Sequence, residues 1–277
     1  MNRVAIRAIA RKDIRAITAN LQVWLPMLIL PVVLGIILPS ALVLALRFGA
    51  EQQGGDMQAI LSWLERLPEG PLRAKLEGFP SLTHRLVYLT ANYMLAPFFL
   101  LIPLMTASVI SADSFAGEKE RGTLESLLFA PVDMRSLFVG KVLAALLPAV
   151  GLSLATFLLC ALSVNLLAWP LFGGIFFPHL NWAPLLLVVI PAVSLLAVLV
   201  NVFISARVQS FQAAYQMGGV VVIPVVLLVA GQVGGLVLID TAVVLAIGLA
   251  MALLDLLLLK QVLRRLDRNL LFASQVR

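Results

Sequence analysis

"GEKERGTLESLLFAP", Gly117 to Pro131, decides how this chain is read, because it sets a run of charge and two glycines between two of the most apolar segments in the sequence. Gly117 and Gly122 have the spacing of a phosphate-cradling loop. Such a loop needs Lys directly after its second glycine, then Ser or Thr for magnesium, and a strand in front of it. Here Thr123 follows Gly122, Glu118 and Glu120 would repel phosphate oxygens, and an apolar run long enough to span a bilayer precedes the loop. The stretch reads as punctuation in a helical chain and not as a nucleotide site.

As punctuation it is well formed. The preceding helix runs on from Ser111 through Glu120, with Glu118 and Glu120 solvated near its end, and Gly122 adopts the left-handed conformation that stops it. Thr123 suits an N-cap, with Glu125 in the first turn where the helix dipole favours it. The new helix, Leu124 to Ala130, puts Leu124, Leu127 and Leu128 on one side and ends at Pro131; Asp133 then caps the next span. With Phe129, these leucines make an apolar knob. Local pattern fits equally a knob tucked against the chain's own helices and one offered to a partner.

Working outward, the composition settles the class. Of 277 residues 61% are hydrophobic and 12% charged, against about 45–50% and about 25% in soluble domains. The chain is an all-α integral membrane protein without room for an independent soluble core. Runs of about 20 apolar residues predict six spans, at Val23–Leu46, Leu86–Ile110, Ser136–Ala168, Ala183–Ala206, Met217–Ile239 and Thr241–Leu259. The first run is too long for a cleaved signal core and is read as retained. "GQVGGLVLID", Gly231 to Asp240, separates the last two as a hairpin turn, with a re-entrant pair of half-helices as the competing reading. Internal repeats are not visible, which speaks against an inverted-repeat transporter.

Charge sets the orientation. Of the 20 Lys and Arg residues, all but Arg47, Arg66, Arg73, Lys75 and Arg85 fall in the N-terminal segment, the 111–135 loop, at Lys141 or Arg207, or in the 260–277 tail. This places both termini in the cytoplasm. The basic flanks fit anionic lipid headgroups better than nucleic acid. Residues 1–22 read as an interfacial amphipathic helix lying along the membrane, with Ile6, Ala10, Ile14, Ile17 and Leu21 in one stripe, Arg7, Arg11 and Arg15 in another, and Val4 and Ile9 off the apolar stripe. The 47–85 outer loop contains a short amphipathic helix, Met57 to Leu67, which fits a lid or vestibule as well as it fits a solvated loop. Trp169 to Trp182 carries no charge and suits the headgroup layer. Numerous prolines within the spans, Pro31, Pro103, Pro148 and Pro191 among them, predict kinks.

Polar side chains inside spans are the remaining candidates. Asp255 lies about one turn from Lys260; it reads as an interfacial carboxylate neutralised by Lys260 or Arg264, or as a gate or ion contact. Asn92, Tyr93, Asn165 and Asn201 read first as interhelical hydrogen-bonding groups and second as cavity lining. The single Cys160 and the distant His84 and His179 offer no metal-ligand spacing. An intramembrane enzyme lacks a paired carboxylate or a nucleophile–base set; a scaffold or assembly protein without transport is harder to exclude.

Gly117 to Lys141, "GEKERGTLESLLFAPVDMRSLFVGK", strongly resembles the signature of type-2 ATP-binding-cassette exporter permeases: Gly-Glu, three residues, Gly-Thr-Leu-Glu-x-Leu-Leu, then Pro and a capping residue before the third span. Gly117, Glu118, Gly122, Thr123, Leu124, Glu125, Leu127, Leu128 and Pro131 stand in those places, with Asp133 where Ser or Thr is commoner. The resemblance implies a cytoplasmic coupling helix that seats in a groove of a separate ATP-binding subunit. Leu124, Leu127, Leu128 and Phe129 would supply apolar contact, and Glu118, Glu120, Arg121 and Glu125 would set orientation. It further implies two ATP-binding subunits carrying ATP and Mg, a second and identical permease, no cofactor on this chain, export as the direction, and a prokaryotic cytoplasmic membrane. The substrate is not readable.

Overall fold

A computed structural model describes residues 2–49, 64, 70–123, 132–233 and 241–265; among them every regular element is helical and no strand occurs. We label the helices α1 (Arg3–Ala19), α2 (21–49), α3 (Pro71–Glu77), α4 (Leu82–Glu120), α5 (Met134–Phe172), α6 (Trp182–Ser205), α7 (Phe211–Gly218), α8 (Val222–Val233) and α9 (Thr241–Arg265). Among the described residues, five stretches are long and apolar enough to cross a membrane: Met27–Phe48, Leu82–Glu120, Met134–Phe172, Trp182–Ser205 and Thr241–Arg264. The fifth expected span, 217–239, falls on the end of α7, a 3-10 turn at Gly219–Val221 and the 12-residue helix α8, and is not among these five. The end of that span and most of the 231–240 hairpin lie outside the described residues. So do all but Leu64 of the expected 57–67 helix and the whole 266–277 tail.

Helix length explains the shape. α4 and α5 each have 39 residues, about 58 Å at 1.5 Å per residue, against a hydrocarbon core of about 30 Å. They run side by side as a hairpin: the His84 imidazole lies 2.9 Å from the Leu171 carbonyl at one end, and Glu118 pairs with Lys141 at the other. The hairpin therefore outreaches the apolar layer. α4 is the central helix, 72% of its most apolar window being covered by protein, compared with 11% for α9 and 28% for α2. Leu253, Leu256 and Leu257 on α9 and Leu158, Leu162 and Leu166 on α5 are exposed. Lipid is the solvent that such faces suit.

The N-terminal helix departs from its expected place. Asn2 caps α1, accepting from the Val4 and Ala5 N–H groups, and its own N–H donates to Ser136 Oγ at 2.8 Å. α1 then lies along the first turns of α5, burying Ile6, Ile9, Ala10, Asp13 and Ile17. Ile9 thus belongs to the packed face, Ile14 is only half-covered and Leu21 is exposed, so the apolar stripe is rotated from the one expected. The cause is Gly140: a Cβ there would lie 2.9 Å from Ile9 Cβ and 3.2 Å from the Ile6 carbonyl oxygen. Only glycine lets the two backbones approach so closely, and the face of α1 that meets it is the one centred on Ile9.

At the opposite end the loops fold onto the bundle. Leu76 of α3 packs with Tyr88, Phe79, Phe172 and Phe176, and Lys75 Nζ sits 4.7 Å from the Tyr88 ring centre. Phe177 and Trp182 are fully buried against Phe157 and Phe99.

Candidate functional site

The site is the junction where α4 ends. Gly122 has φ +68°, the left-handed stop, and its N–H donates to the Lys119 carbonyl at 3.2 Å. Thr123 is itself helical, and its hydroxyl donates back to the Glu118 carbonyl at 3.2 Å, closing the turn before it; the N–H groups it is expected to cap lie outside the described residues. On the far side of the loop Asp133 caps α5, accepting from the Ser136 N–H at 3.1 Å; this hydrogen bonding holds its carboxyl below the usual range. Leu124, Glu125, Leu127, Leu128 and Phe129, the body of the expected coupling helix, lie outside the described residues.

Glu118 overturns the expectation that it is solvated: it is 6% exposed, because α1 lies across the end of α4 and α5 supplies a cation. The cation is Lys141, 2% exposed, whose ammonium donates to Glu118 Oε2, to the Ser114 carbonyl at 2.7 Å, to Ser114 Oγ at 3.2 Å and to Asp13 Oδ2 at 3.4 Å. Ser114 Oγ donates to Asp13 Oδ2 at 2.9 Å. Lys12 closes the ring with 3.0 Å contacts to Asp13 Oδ1 and Glu118 Oε1. Two carboxylates and two ammonium groups balance, and all four carboxylate oxygens are partnered. For Lys12, burial pulls the pKa down, but its hydrogen bonds to Glu118 and Asp13 outweigh that and leave it raised. A π-turn at Asp113–Gly117 reshapes this stretch of α4, with Ser114 inside it.

Three more contacts surround the same turn. Arg121 reaches back to Asp113 Oδ1 at 2.9 Å, Lys119 Nζ donates to the Val208 carbonyl at 3.1 Å, and Glu120 Oε2 accepts from the Phe211 N–H at 2.8 Å. The structure thus gathers Gly117, Glu118, Glu120, Arg121, Gly122 and Thr123 at one point and adds Lys12, Asp13, Ser114 and Lys141. Two signals in the sequence point to the added residues. Asp13 is the lone acid in an otherwise basic helix, and Lys141 falls inside a predicted span, where an ionised group calls for a partner.

The intramembrane candidates are not brought together. Asn92, fully buried in the π-turn Thr90–Met94, accepts from the His179 N–H at 2.7 Å through its side chain, and its carbonyl accepts from Asn181 Nδ2 and Trp182 Nε1. Asn165 accepts from the Phe176 and Phe177 N–H groups at 3.0 and 3.2 Å. Both hold the 173–182 loop, as interhelical packing groups would. Tyr93 is half-buried beside the Leu76–Tyr88 cluster. Asn201 donates to the Ala197 carbonyl while its Oδ1 has no partner. Asp255 corrects the reading of a carboxylate neutralised by Lys260 or Arg264: it is 1% exposed and neither oxygen is hydrogen-bonded. It shares the covered stripe of α9 with Val244 and Val262, whereas Lys260 faces outward.

Helices of this length, lipid-suited faces and a charged brace beyond the apolar layer define a multi-pass, all-helical membrane protein built around a projecting hairpin. The chain belongs to the ABC-2 family of transporter proteins, whose family model matches residues 7–263. It is accordingly a transmembrane permease component of an ABC transporter. A search of curated proteins finds no match.

Proposed function

We propose that this chain is the six-span permease of an ABC exporter, working as a homodimer with two ATP-binding subunits in a prokaryotic cytoplasmic membrane, both termini inside. In this reading 124–130 is the coupling helix: Leu124, Leu127, Leu128 and Phe129 seat in a groove of the ATP-binding subunit, and Glu125 with the Glu118–Thr123 turn sets its angle. ATP and Mg are held by that subunit. Its closure moves the seated helices, and rigid-body rocking switches the cavity between the permeases.

The observation that carries this reading is the family match over 7–263, which includes the Gly117–Pro131 signature. The braced junction at Glu118 supports it, because a loop that receives force needs a stiff base. Co-purification with the ATP-binding subunit and stimulation of its ATPase by the permease are the test. Leu127→Asp with Leu128→Asp abolishes both; undiminished binding and stimulation would sink the coupling assignment.

A further inference from the structure

Glu118, Lys119 and Glu120 are consecutive, yet they hold different neighbours by different means. Glu118 enters the closed charge ring with Lys141, Asp13 and Lys12, beside the interlocked Gly140–Ile9 contact. Lys119 and Glu120 reach the other way, to the Val208 carbonyl and the Phe211 N–H in the turn between α6 and α7.

The two sides differ in what separation costs. Pulling α4 from α1 and α5 strands charges in a dry site, since Lys141, Asp13 and Glu118 are all buried. Shifting α4 along α7 strands no charge: Glu120 is exposed, so water replaces the bond it loses. The seam beneath is lined by Ala112, Ala116 and Ala214, all fully buried, with Ile204, Val208, Phe211 and Tyr215 around them. Small residues give a close, flat contact that slides without side chains having to unlock. Glu120 also completes the start of α7, taking the Phe211 N–H while Ser210 Oγ takes that of Ala213 at 3.3 Å.

We propose that Glu120 is a releasable latch. α1, the end of α4 and the start of α5 move as one body, and this body slides against the α6–α7 turn when the 121–133 loop is displaced. Glu120 then acts as a positioning residue that sets where α7, and the helix it leads into, rests between strokes. This rests on the coupling reading above.

Pairs of spin labels test it in the permease–ATPase complex, with Cys160→Ala as background and the labelled chain diluted in unlabelled chain so that intrachain distances are read. One pair joins Thr123→Cys to Ala16→Cys on α1; the other joins Thr123→Cys to Gln209→Cys in the α6–α7 turn, all three positions being exposed. Trapping the ATP-bound state is expected to leave the Thr123–Ala16 distance unchanged and to shift Thr123–Gln209. A shift in Thr123–Ala16 overturns the one-body assignment while leaving the coupling reading intact. No shift in either pair, in a complex that hydrolyses ATP, overturns the latch, while the coupling reading stands or falls on binding and ATPase stimulation. Glu120→Ala should broaden the Thr123–Gln209 distribution without nucleotide and leave Thr123–Ala16 as it was; an unaltered Thr123–Gln209 distribution overturns the latch.

Discussion

Replacing Lys141 by Met removes the central cation of the buried ring while keeping the length of the side chain. Asp13 and Glu118, 5% and 6% exposed, then face each other with Lys12 alone between them, and the Ser114 carbonyl loses its donor. Removing one partner of a buried pair costs about 3–5 kcal/mol, and Lys12 compensates weakly because its side chain is half exposed. Lys141→Met should therefore lower stability by about 3–5 kcal/mol, two to three and a half decades in the folding equilibrium, and undock α1. Adding Glu118→Gln restores charge balance around Asp13 and Lys12, so the double variant should recover about 1–3 kcal/mol as coupling energy. Denaturation of the purified permease in mixed micelles, run as a double-mutant cycle with tryptic cleavage of α1 as a second probe, measures both quantities. A Lys141→Met loss below about 0.5 kcal/mol, or strictly additive variants, would refute the claim that this ring braces the junction.

Gly140→Ile should force α1 off α5, because the new Cβ meets Ile9 at 2.9 Å; overpacking of this kind costs about 1–3 kcal/mol, and faster proteolysis of residues 3–19 with an intact remainder is the readout. Asn92→Ala leaves the His179 N–H without its 2.7 Å acceptor, a loss of about 1–3 kcal/mol visible as a lower melting temperature; Asn92→Asp keeps that acceptor but turns an oxygen toward the Tyr88 carbonyl, to which Nδ2 donates at 3.1 Å, and buries a carboxylate, so it should lower the melting temperature as well. Burial, then the nearby Lys75, lowers the pKa of His179 below 6.5, so the fold favours the neutral ring: stability is full above pH 6.5 and declines as pH falls from there toward the depressed value. Melting curves between pH 7.5 and 5 should show that decline, and His179→Gln should flatten it.

Much of this architecture was legible in the residues because it is local. Apolar run length predicted the five described helices long enough to cross a membrane, although the expected 217–239 span is not among them, and Gly122 and Asp133 marked a stop and a start that appear as a φ of +68° and a capped N-terminus. Thr123, read as an N-cap for the segment after it, also donates its hydroxyl back to the Glu118 carbonyl, a contact the local pattern does not announce. Glu118 was misplaced for a larger reason: a charged residue near a helix end is ordinarily solvated, and nothing local announces that another helix, more than a hundred residues earlier in the chain, lies over it.

By itself, then, the sequence determined that the chain is helical and carries several apolar runs of bilayer length, and where the helix before the charged stretch stops, because hydropathy, glycine and capping residues act within a turn or two. Tertiary structure alone decided which face of α1 is covered, that Asp13, Glu118 and Lys141 close one ring, and that Asp255 lies covered and without a partner. Helical periodicity assigns residues to faces but not faces to neighbours. That assignment depends on where two backbones can approach, as Ile9 approaches Gly140, and on which buried charges must find one another once water is excluded.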